Sequence, residues 1–312
     1  MPRIGVDAQP ARRTWRGHAW RTARNVLLIY LGLCVAMWFF QDKLIFPGAA
    51  SQGQPWAVVH ASAAYELVEL RTGEGVRTFA AFVKATDPER RPRPDAARRP
   101  TLIYFYGNGE HLAHALGAAR YFASMGVNVL AVEYPGYGMA DGRPGEKSFY
   151  AAADAAYDHL LTRSDVDPRR IVPTGLSIGG GPAIDLASRR PSAGLVCFSP
   201  FTSMKAMARR VAPWLPTSLL LAHRFDNQTK LRSFTGPVFI AHGRDDEIVP
   251  FAMGEALARS AGGSVTFVAL EGAGHNNVFE ADSERLVAAL RGFFDQIAGD
   301  AGVPPNDGRD RR

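Results

Sequence analysis

Residues 171–187 read IVPTGLSIGGGPAIDLA, and this stretch decides the fold. A short apolar run leads into the pentapeptide G-x-S-x-G at residues 175–179, and a run compatible with a helix follows it. Glycine at both ends of the pentapeptide permits a tight turn from strand to helix that lifts the Ser177 hydroxyl above a sheet. In a chain with 31 glycines the same pattern also arises as a plain glycine-rich turn, so the assignment depends on the surrounding sequence.

Strand and helix patterns alternate around Ser177, which is typical of a mostly parallel sheet with helices on both faces. We predict strands at residues 101–106, 127–133, 171–174, 195–199, 237–242 and 265–270, and helices near 111–124, 146–162, 178–190, 251–261 and 277–297. Alternating residues at 65–70 and 78–83 predict an antiparallel hairpin ahead of them. The sequence thus indicates one α/β domain over residues 44–298 and a disordered tail at 299–312.

A serine is a weak nucleophile at neutral pH and needs a histidine base that a carboxylate holds in the right tautomer. In open α/β sheets that carry such a serine turn, the acid follows the serine along the chain and the histidine follows the acid. His275 lies in the loop after the last predicted strand, and the loop after the preceding strand carries the adjacent acids Asp245 and Asp246. All three loops come at the carboxyl ends of strands, where open α/β sheets build their sites. We therefore predict a Ser-His-Asp triad.

The turn at residues 106–109 follows the first strand after a proline-rich loop. In this fold such a turn supplies backbone N–H groups to the oxyanion, so Asn108 and Gly109 are predicted to act with the N–H of Ile178. The alternative is an ordinary strand-ending turn. No metal site is predicted, because His111 and His114 share a helical spacing but have no third ligand nearby in sequence.

An insertion at residues 201–235 separates two predicted strands and is rich in apolar side chains. It forms either a partial cap that offers an apolar wall to an acyl chain or helices that pack on the core. The predicted candidates for the wall of the substrate pocket are Tyr106, Tyr137, Phe201, Met204 and Trp214.

Residues 26–40 (VLLIYLGLCVAMWFF) carry no charge, with Arg24 before them and Lys43 after them. This run is slightly shorter than the roughly 17–25 residues of a usual membrane span, but Arg24 and Lys43 can extend outward to the interface. We predict a basic arm at residues 1–25 and a transmembrane anchor at 26–43. A cleaved signal peptide and a helix lying on the membrane surface are the alternatives.

The net charge of +6 is concentrated at the N-terminus, where the first 24 residues hold six arginines and one aspartate. Because positive residues remain on the cytoplasmic side, the sequence predicts a cytoplasmic N-terminus and a catalytic domain outside the cytoplasm, which means the periplasm in a bacterium. The rest of the chain is close to neutral and has no basic stripe with aromatic residues. Nucleic-acid binding is therefore not predicted.

Several ordered motifs extend from residue 41 to residue 276. They are QDKLIFP at 41–47, YGN at 106–108, EYPGYG at 133–138, GRP at 142–144, SPFTS at 199–203, HGRDDEIVP at 242–250 and GAGHN at 272–276. With these motifs the chain resembles the membrane-anchored branch of the α/β-hydrolase superfamily, which includes eukaryotic protein depalmitoylases and bacterial relatives. The resemblance implies an α/β-hydrolase fold and hydrolysis of an ester, thioester or amide through an acyl-enzyme, without a cofactor.

The family pattern His-Gly-x-x-Asp-x-x-Val-Pro implies that Asp246, not Asp245, is the acid of the triad. His242 at the start of that pattern is interpreted as a structural hydrogen-bonding residue, not as a second catalytic histidine. The chain departs from the family pattern in two places. The family has His-Gly-Asn where this chain has Tyr106-Gly107-Asn108, and Pro173 lies inside a predicted strand, where proline is disfavoured. Ester or thioester substrates with an acyl or lipid-like group are expected. The alternative from another class is a tethered binding protein that has lost turnover.

Overall fold

The structure is a computed structural model that describes residues 11–300, and within that range eight strands form one sheet. They are β1 (Glu66–Arg71), β2 (Arg77–Val83), β3 (Thr101–Phe105), β4 (Asn128–Val132), β5 (Ile171–Leu176), β6 (Leu195–Phe198), β7 (Val238–Gly243) and β8 (Val265–Leu270). Residues 299 and 300 of the predicted tail belong to the last helix, and its remainder from residue 301 onward lies outside the described residues.

The strands are ordered β1-β2-β4-β3-β5-β6-β7-β8 across the sheet. The pairs β1–β2 and β2–β4 are antiparallel, and all pairs from β4 to β8 are parallel. Strands β3 and β4 are buried at every position, as expected for strands covered on both faces. The predicted α/β fold with an N-terminal hairpin is confirmed, and β3 and β5 lie side by side at its centre.

The helices of the described residues are α1 (Ala11–Ile45), α2 (Leu112–Ala123), α3 (Glu146–Thr162), α4 (Gly180–Arg189), α5 (Met204–Val211), α6 (Thr217–Leu220), α7 (Asn227–Leu231), α8 (Phe251–Ser260) and α9 (Ser283–Asp300). Helix α9 begins six residues later than residue 277, where the sequence predicted it. The side chain of Asn277 accepts a hydrogen bond from the Gly274 N–H, and Asp282 has a positive φ of 51°, so the chain turns before the helix begins.

Pro173 lies inside β5, although proline cannot donate to a strand ladder. The register pairs it with Ile103 of β3, whereas pairing of β5 with β6 begins at Thr174. Because Pro173 precedes the stretch that has strands on both sides, β5 tolerates it and still reaches Ser177.

Helix α1 runs without a break from residue 11, through the described part of the predicted basic arm, and through the predicted anchor, while residues 1–10 of the arm lie outside the described residues. Its segment Gly17–Ile45 is long and apolar enough to cross a membrane, by length and composition alone. After Ile45 the chain forms two short 3₁₀ turns, Pro47–Ser51 and Pro55–Ala57, and then enters the sheet. The insertion at 201–235 contains α5, α6 and α7.

Candidate active site

Ser177 lies at the sharp turn between β5 and the helix that follows it, with a φ of 53° in the left-handed region. A Cβ atom at Gly175 would lie 2.2 Å from the Gly179 carbonyl oxygen, and a Cβ atom at Gly179 would lie 2.1 Å from the Phe105 carbonyl oxygen. Side chains therefore do not fit at either glycine. The G-x-S-x-G pattern is required because the turn packs directly against itself and against the end of β3.

The structure brings together the serine, histidine and second aspartate that the sequence singled out. Ser177 Oγ lies 3.0 Å from His275 Nε2. On the other side of the ring, His275 Nδ1 lies 2.8 Å from Asp246 Oδ2 and 3.0 Å from Asp246 Oδ1. This geometry allows the imidazole to accept the serine proton at Nε2 while the carboxylate holds the Nδ1 proton.

The Asp246 carboxylate is fully buried and accepts several hydrogen bonds. Oδ1 accepts from the N–H groups of Val249 at 2.7 Å and Ile248 at 3.0 Å. Burial alone raises the pKa of this carboxyl, but hydrogen bonds from His242 and His275 outweigh it and hold the pKa below its usual value. Asp245 is exposed at the surface. Of the two adjacent acids, only Asp246 lies at His275.

His242 is fully buried behind the triad. Its Nε2 lies 2.9 Å from the Val249 carbonyl oxygen and 3.3 Å from Asp246 Oδ2. A Cβ atom at Gly254 would lie 2.4 Å from His242 Nδ1, so α8 closes the other side of the ring. His242 therefore holds the loop of Asp246 in place and does not contact Ser177.

Three backbone N–H groups that line the same cavity as the Ser177 side chain have no hydrogen-bond acceptor among the described residues. Among the hydrogen bonds of residues 11–300, the N–H groups of Ile178 and Asn108 donate to no acceptor, and neither does that of Gly109. The N–H of Gly107 is already used, because it donates to the Glu110 carboxylate at 3.0 Å. The three predicted oxyanion donors thus remain unpaired next to Ser177.

The end of α1 fixes the loop that carries Asn108. The Asn108 side chain donates to the Ile45 carbonyl oxygen at 2.5 Å and accepts from the Tyr137 hydroxyl at 2.8 Å. The Asn108 carbonyl oxygen accepts from the N–H of Gly48 at 3.1 Å. A Cβ atom at Gly48 would lie 2.2 Å from the Tyr137 ring, so this contact leaves no room for a side chain. The position of the predicted oxyanion loop, residues 106–109, therefore depends on residues 45–48.

Glu133 is a fully buried acid below the same loop, and the sequence analysis did not identify it. Its carboxylate accepts a hydrogen bond from the Tyr106 hydroxyl. The N–H of Leu112 also donates to it, at 3.2 Å from Oε1 and 3.3 Å from Oε2. Burial raises the pKa of Glu133 to about 7, although the hydrogen bonds from Tyr106, Leu112 and Met139 act in the opposite direction. An acid in the motif EYPGYG was visible in the sequence, but its burial was not.

Glu133→Gln is expected to flatten the pH dependence of stability. The pKa of Glu133 rises from 4.5 to about 7 on folding, so in that window the folded state binds more protons than the unfolded state. The free energy of unfolding therefore falls as pH rises from 4.5 to 7, by about 3 kcal/mol at 1.4 kcal/mol per pKa unit. Urea unfolding at several pH values measures this slope. Glu74→Gln at an exposed turn is the control, and an unchanged slope in Glu133→Gln contradicts the assignment.

A cavity of about 890 Å³ opens above the triad, a size near the upper end of usual ligand sites. Ser177 and His275 lie at its base, and α5 and α6 form much of its wall. Within the described chain, the acidic residues that line it are Glu110 and Glu280, and no lysine or arginine lines it. The cavity is therefore mainly apolar, with two carboxylates on its wall.

The predicted pocket residues lie in three different environments. Phe201 and Met204 line the cavity. Trp214 is 57% exposed on the outer surface of the insertion. Tyr106 and Tyr137 are fully buried below the oxyanion loop, where their hydroxyls bond Glu133 and Asn108. The residues at 37, 41, 44 and 45 of α1 line the cavity, and the sequence analysis did not place them there.

Comparison with known proteins agrees with this architecture. Residues 96–232 match the family described as serine aminopeptidase, S33. The chain is 32% identical over 274 residues to an uncharacterized protein of Mycobacterium tuberculosis, covering 88% of this chain and 94% of the relative. It is 34% identical over 219 residues to alpha/beta hydrolase domain-containing protein 17B of Homo sapiens, covering 69% of this chain and 70% of the relative.

Solved structures show the same fold at low sequence identity. An esterase of Pyrococcus furiosus, Pf2001, aligns with a TM-score of 0.62 at 18% identity, covering 78% of this chain and 98% of the esterase. Est1E of Butyrivibrio proteoclasticus, solved with ferulic acid, aligns with a TM-score of 0.59 at 19% identity, covering 74% of this chain and all of that chain. With the sheet order and the curated relatives, these similarities show that the chain belongs to the α/β-hydrolase superfamily and is a hydrolase.

Proposed function

We propose that this chain is a serine hydrolase that cleaves an ester or thioester of an acyl group through an acyl-enzyme on Ser177. The observation that carries the proposal is the continuous hydrogen-bonded arrangement from Ser177 Oγ through His275 to the buried Asp246. Three side chains from three separate loops are joined by hydrogen bonds, and the unpaired N–H groups of Asn108, Gly109 and Ile178 line the same cavity as Ser177. A binding protein without turnover has no need for this arrangement.

The reaction proceeds in two halves. Ser177 Oγ attacks the carbonyl carbon as its proton moves to His275 Nε2, and the negative charge on the carbonyl oxygen is stabilised by the N–H groups of Ile178 and Asn108. The tetrahedral intermediate collapses, His275 gives the proton to the leaving oxygen or sulfur, and an alcohol or thiol departs. Water then attacks the acyl-enzyme with His275 as base, which releases a carboxylic acid and restores Ser177.

The lining of the cavity supports an acyl substrate. Phe201, Met204, Met207 and Leu215 are among the side chains that face it, and methionines adapt to flexible apolar chains. This lining supports the cap alternative for α5 and α6 of residues 201–235, whereas α7 of the same insertion packs on α4 and α8. We therefore propose an acyl or lipid-like group as the part of the substrate that binds above Ser177.

We further propose that α1 anchors the enzyme in a membrane with the catalytic domain outside the cytoplasm. Support comes from the apolar span Gly17–Ile45 and from the arginines that precede it. In a bacterial host, a C-terminal alkaline phosphatase fusion should be active and a C-terminal green fluorescent protein fusion should be dark. The reverse pattern contradicts the proposed orientation.

Amide hydrolysis is the second candidate. The matched family is described as serine aminopeptidase, and the carboxylates of Glu110 and Glu280 line the cavity, where one could pair with a free amino terminus. Turnover of aminoacyl naphthylamides at a rate above that of acyl esters would favour this candidate.

Covalent labelling tests the proposed function directly. A fluorophosphonate probe should label the full-length protein in detergent, because an activated serine attacks phosphorus as it attacks a carbonyl. Mass spectrometry should find the adduct on the peptide that contains Ser177, and the same preparation should hydrolyse p-nitrophenyl esters. Absence of both labelling and hydrolysis would favour a binding protein.

A further inference from the structure

One face of the second half of α1 is covered by the catalytic domain. Tyr30, Cys34, Met37, Gln41 and Ile45 follow one another at intervals of three or four residues and are buried or half-buried. This spacing places them on a single helical face. Most residues between them are exposed, so the opposite face of α1 has no protein partner within the described chain.

Polar contacts fix this face against the insertion. The Tyr30 hydroxyl donates to the Trp214 carbonyl oxygen at 3.2 Å. The Gln41 side chain donates to the Leu220 carbonyl oxygen at 3.2 Å and accepts from the N–H of Ala222 at 2.8 Å. Gln41 is buried, and burying a glutamine side chain is costly without such partners. Gln41 thus joins α1 to the segment around α6.

The same part of α1 forms a wall of the cavity above Ser177. Met37, Gln41, Leu44 and Ile45 line the same space as Ser177. Met207 and Leu215 of the insertion also line it. The apolar part of the cavity is therefore bounded by the proposed membrane helix and by the insertion together.

The rim of this cavity carries apolar side chains that contact no protein core. Val211 and Leu219 of the insertion are 81% and 80% exposed. Lys205, Arg209 and Arg210 lie exposed beside them on α5. Apolar side chains flanked by basic ones match the boundary between lipid tails and headgroups. Because α1 and the insertion are in contact, these side chains continue the apolar surface of α1.

We infer that the proposed anchor helix α1 forms part of the site that binds the acyl chain of the substrate. The acyl chain lies between residues 37–45 of α1 and helices α5 and α6, and it enters from the lipid layer in which α1 and the rim residues are embedded. The substrate class is a long-chain acyl ester or thioester presented at a membrane surface. This inference rests on the proposed hydrolase function and assigns the substrate class of that same site.

The first test compares two substitutions on α1 in the full-length enzyme. Met37→Trp places a larger side chain into the cavity. Phe39→Trp introduces the same ring two residues later, on the face of α1 that points away from the cavity. The readout is the ratio of kcat/KM for p-nitrophenyl decanoate to that for the acetate. We expect Met37→Trp to lower this ratio by ten-fold or more and Phe39→Trp to leave it unchanged. Met207→Trp, on the facing wall, should act like Met37→Trp.

Other outcomes overturn the inference. If Met37→Trp and Met207→Trp keep the ratio of the unmodified enzyme, the acyl chain does not lie along α1. If they reduce turnover of both esters equally, α1 supports the triad or the oxyanion loop but does not bind the chain. If the unmodified enzyme neither reacts with the probe nor hydrolyses any ester, the proposed function itself fails, and the inference fails with it.

The second test addresses entry from the lipid layer. Leu219→Asp changes a rim side chain that does not line the cavity, and Leu161→Asp is the control at an exposed apolar residue of α3. The rate on a long-chain ester in phosphatidylcholine vesicles is divided by the rate on the same ester in detergent. We expect at least a five-fold lower quotient for Leu219→Asp and no change for Leu161→Asp. Equal quotients for both variants exclude entry at this rim.

Discussion

Replacing Ser177 by alanine is expected to abolish labelling by a fluorophosphonate and to lower ester turnover by about 10⁶-fold, the size seen when the nucleophile of another serine hydrolase is removed. The hydroxyl is the one group lost, and it lies 3.0 Å from the Nε2 atom that would receive its proton. Alanine keeps the Cβ atom at a φ of 53°, so the strain of the turn remains and the fold should persist. Circular dichroism and thermal unfolding check that the variant is folded.

A neighbouring serine supplies the control for this experiment. Ser188 lies on α4, the helix that follows Ser177, and its hydroxyl donates to the Asp185 carbonyl oxygen of the same helix. Ser188→Ala should therefore retain labelling and turnover. Labelling that persists in Ser177→Ala at another residue would show that the nucleophile was assigned wrongly.

Asp246→Asn is expected to lower the rate of acylation by about 10⁴-fold, the effect of the same change in another serine hydrolase, whereas Asp245→Asn should retain most activity. Oδ1 of Asp246 accepts from the N–H groups of Ile248 and Val249, so an amide oxygen at residue 246 stays at that position. The amide NH₂ then faces His275 Nδ1, which lies 2.8 Å from the present Oδ2. That contact favours the tautomer with its proton on Nε2, which cannot accept a proton from Ser177.

Single-turnover acylation with a p-nitrophenyl ester measures this step without interference from product release. Asp245 is exposed and forms no contact with His275, so its amide should behave as a surface substitution. If Asp245→Asn loses activity and Asp246→Asn retains it, the acid of the triad is Asp245 and the arrangement of this loop is different in solution.

The sheet could be predicted from the sequence because its strands are short, apolar and separated by clear helical patterns. Strand β8 was predicted with its observed bounds, and β3 within one residue at its end. The start of α9 was predicted six residues early, because apolar residues at 278 and 279 continue the helical pattern into a turn that Asn277 and Asp282 impose. Local hydrogen bonds of this kind leave only a weak signal in the hydrophobic pattern.

The site was less predictable away from the motifs. Loop motifs placed Ser177, Asp246 and His275 at the carboxyl ends of β5, β7 and β8. The structure has them within hydrogen-bonding distance, and their catalytic roles stay a prediction. Tyr106 and Tyr137 follow strands in the same way, but their side chains point below the loop, which strand-end position alone does not reveal. The contribution of α1 was missed because it depends on contacts between residues far apart in the chain, such as Gln41 with Ala222.

The contact between residues 45–48 and Asn108 has a consequence for how this sequence can vary. A membrane helix usually tolerates any apolar residue, since lipid selects for hydrophobicity and not for shape. At the end of the proposed anchor helix, the backbone carbonyl of Ile45 accepts a hydrogen bond from Asn108. Three residues later, Gly48 lies where a Cβ atom would be 2.5 Å from the Asn108 carbonyl oxygen. The end of the helix is thus selected both for hydrophobicity and for its fit against Asn108. Its spacing from the oxyanion loop cannot drift during evolution without a matching change at Asn108.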